Sequence, residues 1–285
     1  MRILLALLLY AVQPSGWWTV QTSGRDTNLR GVSATQNPSD KHFVIWASGS
    51  NGVVLRSVND GNTWKQLTVE GGTDLDFRDI EAFDEKVVYL MSSGDGAKSR
   101  IYKTTNGGDS WNLQYSDKRA GFFLDSLACS SLTHCVAVSD PVDGKFLVLA
   151  TDDGEHWKEL PRDKMPAALP QEGVFAASGT EMIFCGKDLF FGTGGPAARI
   201  FHSKDDGLSW TVTETPLLSG NASSGIFGLA CNDRGHMVAV GGDYKDPNRA
   251  LRTAAYSDDS GATWKLSQNQ PEDFVQPRGC FLATA

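Results

Sequence analysis

Short apolar runs recur along the whole chain and are separated by turns rich in Gly, Asp and Ser. Typical examples are residues 53–56, 100–103 and 146–149, each of which ends at a polar turn. Runs of this length with such boundaries are typical of β-strands. No stretch shows the 3.6-residue period of an amphipathic helix. The pattern therefore predicts an all-β fold.

One phrase follows these runs five times and sets the period of the chain. It consists of Ser or Thr, any residue, Asp or Asn, any residue, Gly, any residue, Ser or Thr, and Trp, and the third copy departs from it at Ala150 and His156. The copies occupy residues 57–64, 104–111, 150–157, 203–210 and 257–264, so their tryptophans lie 46 to 54 residues apart. A fixed repeat in this range is typical of propellers and solenoids.

Each copy of the phrase predicts a hairpin turn. The Asp or Asn side chain can accept hydrogen bonds from the amides of its own turn, and the glycine can adopt a positive φ. The tryptophan then begins the next strand and packs between neighbouring sheets. We interpret these residues as structural rather than catalytic: Asn59, Gly61, Trp64, Asn106, Gly108, Trp111, Asp152, Gly154, Trp157, Asp205, Gly207, Trp210, Asp259, Gly261 and Trp264.

The phrase resembles the Asp-box of BNR-type propellers, which include sialidases, xyloglucanases and sortilin-like receptors. Among these the chain is most similar to the photosystem II assembly-factor (Hcf-type) propellers and their bacterial relatives. The resemblance implies a β-propeller of four-stranded antiparallel blades, with the box turns between third and fourth strands. It also implies a ring of seven blades in the intact protein.

Five complete blades can be aligned on the repeat. Their inner strands are expected at residues 29–32, 77–80, 123–126, 173–176 and 225–228, and their second strands at 43–46, 87–90, 135–138, 182–184 and 237–240. Trp18 lies in the register of a box tryptophan, and residues 277–283 read as the inner strand of a sixth unit. We therefore expect a propeller over residues 17–285 that is truncated at its C-terminal end.

Residues 1–16 combine a basic start with an apolar run and are interpreted as a signal peptide. The run is too short for a transmembrane helix, so we expect an exported, periplasmic or secreted protein without a transmembrane segment. The net charge of −8 argues against a nucleic-acid surface. We expect a monomer.

The five cysteines predict one disulfide. Cys129 and Cys135 lie at facing positions of one short hairpin, where β-carbons are close enough for a bond. Cys185, Cys231 and Cys280 are expected to be buried and unpaired. No cysteine spacing suits zinc, and we expect neither a metal nor a cofactor.

The candidate ligand site lies on the face opposite the box turns, where the longer connections 161–171, 215–224 and 241–250 gather. Three inner strands carry an arginine at one register, and acids lie beside them. The candidate binding residues are Arg30, Arg78, Arg278, Asp79, Asp125 and Glu172. Arginine forks bind carboxylates and phosphates well, so a protein, peptide or anionic ligand is expected. Alternatively, each arginine pairs with a neighbouring acid and fixes the ring.

An enzymatic function is the second hypothesis. A glycoside hydrolase needs two carboxyl groups across the scissile bond, and Asp79, Asp125 or Glu172 could supply them to a carbohydrate. The Arg-Ile pairs at Arg100 and Arg199 lack the proline of the Arg-Ile-Pro motif of related sialidases, because Tyr and Phe follow them. We therefore favour a non-catalytic exported scaffold that binds its partner at the channel mouth, and assign no catalytic residue.

Overall fold

A computed structural model describes residues 21–249 and 251–267 of the chain. The predicted signal peptide, Trp18, Arg278, Cys280 and the strand at 277–283 lie outside the described residues. No helix in the described ranges has the length and apolar character needed to cross a membrane.

The first three sheets each contain four consecutive antiparallel strands. Sheet I consists of β1 (Leu29–Gln36), β2 (Phe43–Gly49), β3 (Val54–Ser57) and β4 (Lys65–Leu67). Sheet II consists of β5 (Asp76–Ala82), β6 (Val88–Ser93), β7 (Arg100–Thr104) and β8 (Asn112–Ser116), with a short 3-10 helix at Gly96–Lys98. Sheet III consists of β9 (Leu124–Cys129), β10 (Cys135–Val142), β11 (Lys145–Thr151) and β12 (Lys158–Glu159).

The last two sheets depart slightly from this order. Sheet IV contains β13 (Met182–Cys185), β14 (Asp188–Gly192), β16 (Arg199–Ser203) and β17 (Thr211–Glu214). The two-residue strand β15 (Gly194–Gly195) leaves sheet IV and pairs with the inner edge of sheet V. Sheet V continues with β18 (Asn221–Cys231), β19 (Met237–Asp243), β20 (Ala254–Ser257) and β21 (Lys265–Leu266). The predicted all-β propeller of four-stranded antiparallel blades is confirmed.

The apolar core lies between adjacent sheets. Val136, Phe146, Phe191 and Phe201, for example, pack together between sheets III and IV. Inner strands of neighbouring sheets are also joined by side chains that accept a backbone N–H. The Ser33 hydroxyl accepts from Ala82, the Asp79 carboxyl from Leu127, and the Ser126 hydroxyl from Met182. These bonds fix the sheets around a common centre.

The prediction for the fourth blade was wrong. Residues 173–176 do not form its inner strand, because β13 occupies that place and β14 is the second strand. The earlier segment is held elsewhere: Val174 N–H bonds to Asp140 in sheet III, and Arg78 in sheet II bonds to the Ala176 carbonyl. Only Gly173 keeps a ladder contact, a bridge to Gly194.

Four box turns share one hydrogen-bond pattern. In the fourth copy, Gly207 N–H donates to Ser203 Oγ at 2.8 Å and Ser209 N–H donates to Asp205 Oδ1 at 2.7 Å. The first, second and fifth copies repeat both bonds. A residue with positive φ precedes the glycine in all four turns: Asp60, Gly107, Asp206 and Ser260.

The third box turn is one residue shorter. Gly154 N–H bonds to Thr151 Oγ1, and Asp153 Oδ1 accepts from Glu155 and His156. The assignment of Asp152 as the turn acid is therefore wrong. Its carboxylate instead contacts Lys158 and His134.

Two disulfides join the described cysteines. Cys129 and Cys135 are cross-strand partners with Cα atoms 4.0 Å apart, at the predicted pairing. Cys185 and Cys231 form a second bridge with Cα atoms 6.0 Å apart. The expectation that these two are unpaired and buried is wrong, because both are partly exposed at the ends of β13 and β18, where the inner strands of sheets IV and V converge.

A candidate ligand site in the central channel

A cavity of about 2000 Å³ occupies the centre of the described sheets and opens toward the long connections. Its lining includes Arg30, Arg78, Asp125, Asp140, Phe175 and Tyr244. Residues from all five sheets or their loops thus meet at one space. The predicted convergence of Arg30 and Arg78 on the loop-rich side is found in the structure.

A recurring β-bulge aims side chains into this cavity. The inner strands β1, β5, β9 and β18 each contain one extra residue relative to their second strand. A bulge turns the extra residue out of the normal alternation. In β5, Phe77 and Ile80 face the core while Arg78 and Asp79 both point away from it. The other bulges bring Arg30, Asp125 and Phe227 to the cavity wall.

The two arginines share one carboxylate. Asp76 lies two residues before Arg78 on β5, and its Oδ2 accepts from Arg78 Nε at 2.7 Å. Arg30 Nε lies 3.8 Å from Asp76 Oδ1, beyond hydrogen-bond distance. Each of the three side chains is about one-third exposed or less. The i, i+2 spacing of Asp76 and Arg78 was visible in the sequence and was missed.

Arg78 has a second structural contact. Its Nη1 donates to the backbone carbonyl of Ala176 at 2.6 Å. Arg78 therefore links sheet II to the segment that precedes sheet IV. Arg30, whose Nε has no hydrogen-bond partner among the described residues, is the better placed of the two for a ligand.

Asp79 is a buried acceptor. Its Oδ2 accepts from Leu127 N–H at 2.7 Å and from Ser126 Oγ at 3.4 Å. Burial raises the pKa of Asp79 to about 7, against the opposing effect of these hydrogen bonds. Gly179 packs on the carboxyl so closely that a β-carbon there would lie 2.2 Å from Oδ1. Asp79 therefore links β5 to β9, and its burial keeps it from a substrate.

Asp125 and Glu181 are buried carboxyls without a hydrogen-bond partner among the described residues. Desolvation raises the pKa of Asp125 well above its usual range, and the charges of Asp140 and Glu181 add to the effect while Arg78 opposes it. Desolvation likewise raises the pKa of Glu181 far above normal, with a smaller contribution from Asp79. Carboxylates are costly in an apolar interior, so burial favours the neutral form of both groups.

Asp140 completes this group at the cavity wall. It is half-buried, and its Oδ1 accepts from Val174 N–H at 3.0 Å. Burial raises the pKa of Asp140 to about 6, against the opposing effect of this bond. Neither Asp140 nor Glu181 was among the candidates from the sequence, because neither shares a register with the predicted acids.

Glu172 belongs to a separate ion pair. Its carboxylate bonds to Arg199 Nε at 2.7 Å and to the Arg199 Nη2, and it also accepts from the Thr193 hydroxyl and the Leu169 amide. The glutamate side chain has no exposed surface. All its acceptor sites are used inside the protein, so the three acids considered for catalysis do not form one site.

Three aromatic rings form a cluster on the cavity wall that the sequence did not reveal. The ring centroid of Phe175 lies 5.0 Å from that of Phe227 and 6.0 Å from that of Tyr244. Tyr244 is 55% exposed and the two phenylalanines are half-buried. Partly exposed aromatic side chains are frequent anchors of binding sites, because they bury a large area with few rotatable bonds.

One group of possible metal ligands occurs among the described residues, on the box face. His134 Nδ1 lies 3.1 Å from Asp152 Oδ1, and its Nε2 lies 2.9 Å from Asp206 Oδ1. Both ring nitrogens already face a carboxylate, and Lys158 contacts Asp152. The arrangement is therefore better explained as an ion-pair network that joins two box turns.

Comparison with known proteins agrees with this architecture. The family model described as the DUF6242 beta propeller domain matches residues 15–285. A xyloglucanase of Hypocrea jecorina is 23% identical over 234 residues, which cover 79% of this chain. The chain spans only 26% of that enzyme's length and 4% of a second curated relative.

Solved structures show the same fold at low sequence identity. The GH74 xyloglucanase of Xanthomonas campestris is 15% identical, with 78% of this chain and 38% of that chain covered and a TM-score of 0.52. A structure of YCF48 bound to D1 peptide is 16% identical, with 89% and 86% covered and a TM-score of 0.44. The similarity to the xyloglucanase structure supports the β-propeller fold.

Proposed function

The chain belongs to the DUF6242 β-propeller family, and from this premise we propose that it is an exported binding propeller that holds a peptide segment of a partner protein in its channel cavity. The observation that carries the proposal is the combination of Arg30 with the aromatic cluster of Phe175, Phe227 and Tyr244 on the wall of one large cavity. A guanidinium supplies directed hydrogen bonds to carboxylates or carbonyls, and the rings supply apolar contact.

The cavity acids favour binding over catalysis. Asp125, Asp140 and Glu172 are the carboxyl residues among the described cavity-lining positions. Glu172 is neutralised by Arg199, Asp125 is enclosed by protein, and Asp140 bonds to a backbone amide. A hydrolase needs two carboxyl groups that reach opposite sides of one bond of the substrate. The cavity is therefore better suited to binding a ligand, through hydrogen-bond donors and apolar surface, than to catalysis by an acid and a base.

Export is supported by the two disulfides and by the apolar run after Met1. Disulfides form and persist in oxidising compartments and are rare in the cytosol.

The proposal is tested by selecting a random heptapeptide library on the purified full-length protein and titrating the enriched peptide by calorimetry. Replacing Arg30 by Ala, or Tyr244 by Ala, should weaken binding at least about tenfold, which corresponds to about 1.4 kcal/mol. Arg234→Ala, in the exposed turn between β18 and β19 on the box face, is the matched control and should bind normally. Unchanged affinity in both cavity variants, or no enriched peptide, would reject the proposal.

A second candidate is a glycoside hydrolase, favoured by the match to the xyloglucanase across most of this chain. Asp125 and Asp140 would be its acid and base, since their pKa values are raised to different extents. We expect no release of reducing sugar from xyloglucan by the purified protein. Release that disappears in both Asp125→Asn and Asp140→Asn would establish the hydrolase instead.

A further inference from the structure

Residues 173–181, here called the strap, lie in the channel where an inner strand was expected. The strap contacts Gly194 at its start, sheet III through Asp140, sheet II through Arg78, and sheet V through Leu229. Three sheets on different sides of the channel thus hold one segment that contains no regular strand. The strap therefore crosses the central space rather than extending a blade.

Val174 anchors the strap in the core at its start, and the Glu181 carbonyl accepts from Gly192 N–H at its end. The anchors between them are discrete polar contacts. The Val174 amide donates to Asp140, the Ala176 carbonyl accepts from Arg78, and the Thr180 carbonyl accepts from Leu229 N–H at 2.8 Å. Val174 belongs to the core cluster between sheets III and IV, whereas the core clusters contain no residue of the strap from Ala176 to Glu181, so these contacts can break with the clusters in place. Segments with few buried apolar contacts open at low cost.

The strap also supplies part of the proposed ligand site. Phe175 is its contribution to the aromatic cluster, against Phe227 and Tyr244 of sheet V. A displacement of the strap would separate this ring from its two partners. The position of the strap therefore decides whether the site is assembled.

The second half of the strap lies against buried carboxyls, one of which, Asp125, is under the electrostatic influence of Arg78. Gly179 touches Asp79, and Glu181 ends the strap. Three carboxyls lie beneath the strap: Asp79, Asp125 and Glu181. The charged and titratable groups that face them are Glu81 and Arg78 on β5 and Asp140 on β10. Arg78 also bonds to Asp76. All of these groups except Arg78 are acids, so ionisation adds repulsion beneath the strap.

We propose that the strap is a pH-sensitive gate of the channel, closed while the carboxyls beneath it are neutral and released when they ionise. The regulated site is the proposed ligand site, so the physiological meaning of the gate rests on the proposed function. The gate itself depends only on contacts within the chain.

Release follows from competition for Arg78. In the closed state its guanidinium donates to the Ala176 carbonyl and to Asp76. An ionised Asp125, already within electrostatic reach of Arg78, would attract the guanidinium away from the neutral carbonyl, because charge-assisted contacts are the stronger ones. The Asp140 bond to Val174 strengthens when Asp140 ionises, so the strap should hinge at Val174 and open over Ala176–Glu181.

Burial supports a transition near neutral pH. It raises the pKa of Asp79 to about 7 and, together with the charge of Asp79, that of Glu81 to about 8. These groups ionise as the pH rises from 6 to 9, the interval in which the gate should open.

Hydrogen exchange followed by mass spectrometry on the full-length protein tests the gate without any ligand. Between about pH 6 and pH 8.5, exchange of peptides covering 176–181 and of the Leu229 amide should rise about tenfold beyond the intrinsic pH effect, as expected for one pKa unit of coupling. Peptides covering the fourth box turn, residues 203–210, serve as the internal reference and should follow the intrinsic rate. Strap exchange that follows the reference at both pH values overturns the proposal.

Variants assign the effect to the carboxyls. Glu181→Gln and Asp125→Asn keep the shape and remove the charge, so each should reduce the pH dependence of strap exchange, and the double variant should reduce it further. Arg78→Ala should leave the strap open at both pH values, whereas Arg234→Ala should behave as wild type. If Asp125→Asn does not fold, the exchange of the Glu181→Gln and Arg78→Ala variants provides the test of the gate. Wild-type pH dependence in Glu181→Gln would contradict the gate.

The result is separable from the peptide-binding test. A pH-dependent strap in a protein that binds no peptide rejects the proposed function and keeps the gate. A peptide that binds with equal affinity at both pH values, combined with a pH-independent strap, rejects the gate and keeps the proposed function.

Discussion

The guanidinium of Arg78 donates a hydrogen bond to the backbone carbonyl of Ala176, 98 residues further along the chain. Asp76 holds the same guanidinium from the other side at 2.7 Å. This pair of contacts joins the inner strand of sheet II to a segment between sheets III and IV. The contacts of Arg78 therefore agree better with the alternative in which each arginine pairs with a neighbouring acid and fixes the ring than with a role in binding a ligand.

The first prediction concerns this link. Arg78→Ala removes a charge-assisted bond to a partly buried carbonyl, so we expect a loss of about 1–3 kcal/mol in the free energy of unfolding. Arg78→Lys should recover only part of the loss, because an ammonium cannot reproduce the planar fork. Urea denaturation of both variants measures the difference. Wild-type stability in Arg78→Ala would show that the contact makes no net contribution to the free energy of unfolding.

The second prediction compares the acids of the box turns. Asp205→Ala removes the acceptor of the Ser209 amide and hydroxyl and should cost about 1–2 kcal/mol of stability. In the third turn, Asp153→Ala should destabilise the protein more than Asp152→Ala, because only Asp153 bonds to the turn amides. Thermal melting of the adjacent pair provides a matched control. A larger loss of stability in Asp152→Ala would show that Asp152 is the turn acid, as in the four longer box turns.

The third prediction ranks the two disulfides. Cys185–Cys231 closes a loop with a sequence separation of 46, whereas Cys129–Cys135 closes one with a separation of 6. On the chain-entropy account, removing the first by a double Ser substitution should cost about 4 kcal/mol and removing the second about 2 kcal/mol. Denaturation with and without reductant, together with non-reducing peptide mapping, checks both. Free alkylation of all four thiols after oxidising purification would contradict the pairings.

The repeated features of the fold were predictable from sequence because each is local. The phrase that ends in Trp64, Trp111, Trp210 or Trp264 contains both partners of its own turn bonds, so spacing alone identified it. The third turn was misassigned because Asp152 and Asp153 are adjacent acids, and only the length of the turn decides between them. Cys129 and Cys135 were paired for the same local reason.

The features that could not be predicted depend on contacts between distant segments. The segment expected to form an inner strand at residues 173–176 is held instead by contacts with distant residues, among them Asp140 and Arg78. Arg199 was considered only for a sialidase motif, because its partner Glu172 lies 27 residues away. The bulges that turn Asp125 and Phe227 into the cavity depend on the register of a neighbouring strand, which no residue of their own strand reveals.

The last prediction concerns the dependence of stability on pH. Burial raises the pKa of Asp79 to about 7, of Glu81 to about 8 and of Asp140 to about 6, and it raises the pKa of Asp125 and Glu181 well above normal. Unfolded carboxyls release their protons near pH 4, whereas these folded ones keep them to higher pH, so folding takes up protons between the two values. The stabilisation is complete below about pH 4 and is lost as the pH rises through 6 to 8. Thermal melting at constant ionic strength should therefore give a midpoint several degrees higher at pH 5 than at pH 8.5. Asp125→Asn with Glu181→Gln should flatten this slope, while Asp246→Asn, on an exposed loop residue, should leave it unchanged. A midpoint that rises from pH 5 to pH 8.5 in the wild type would show that the buried carboxyls ionise without cost.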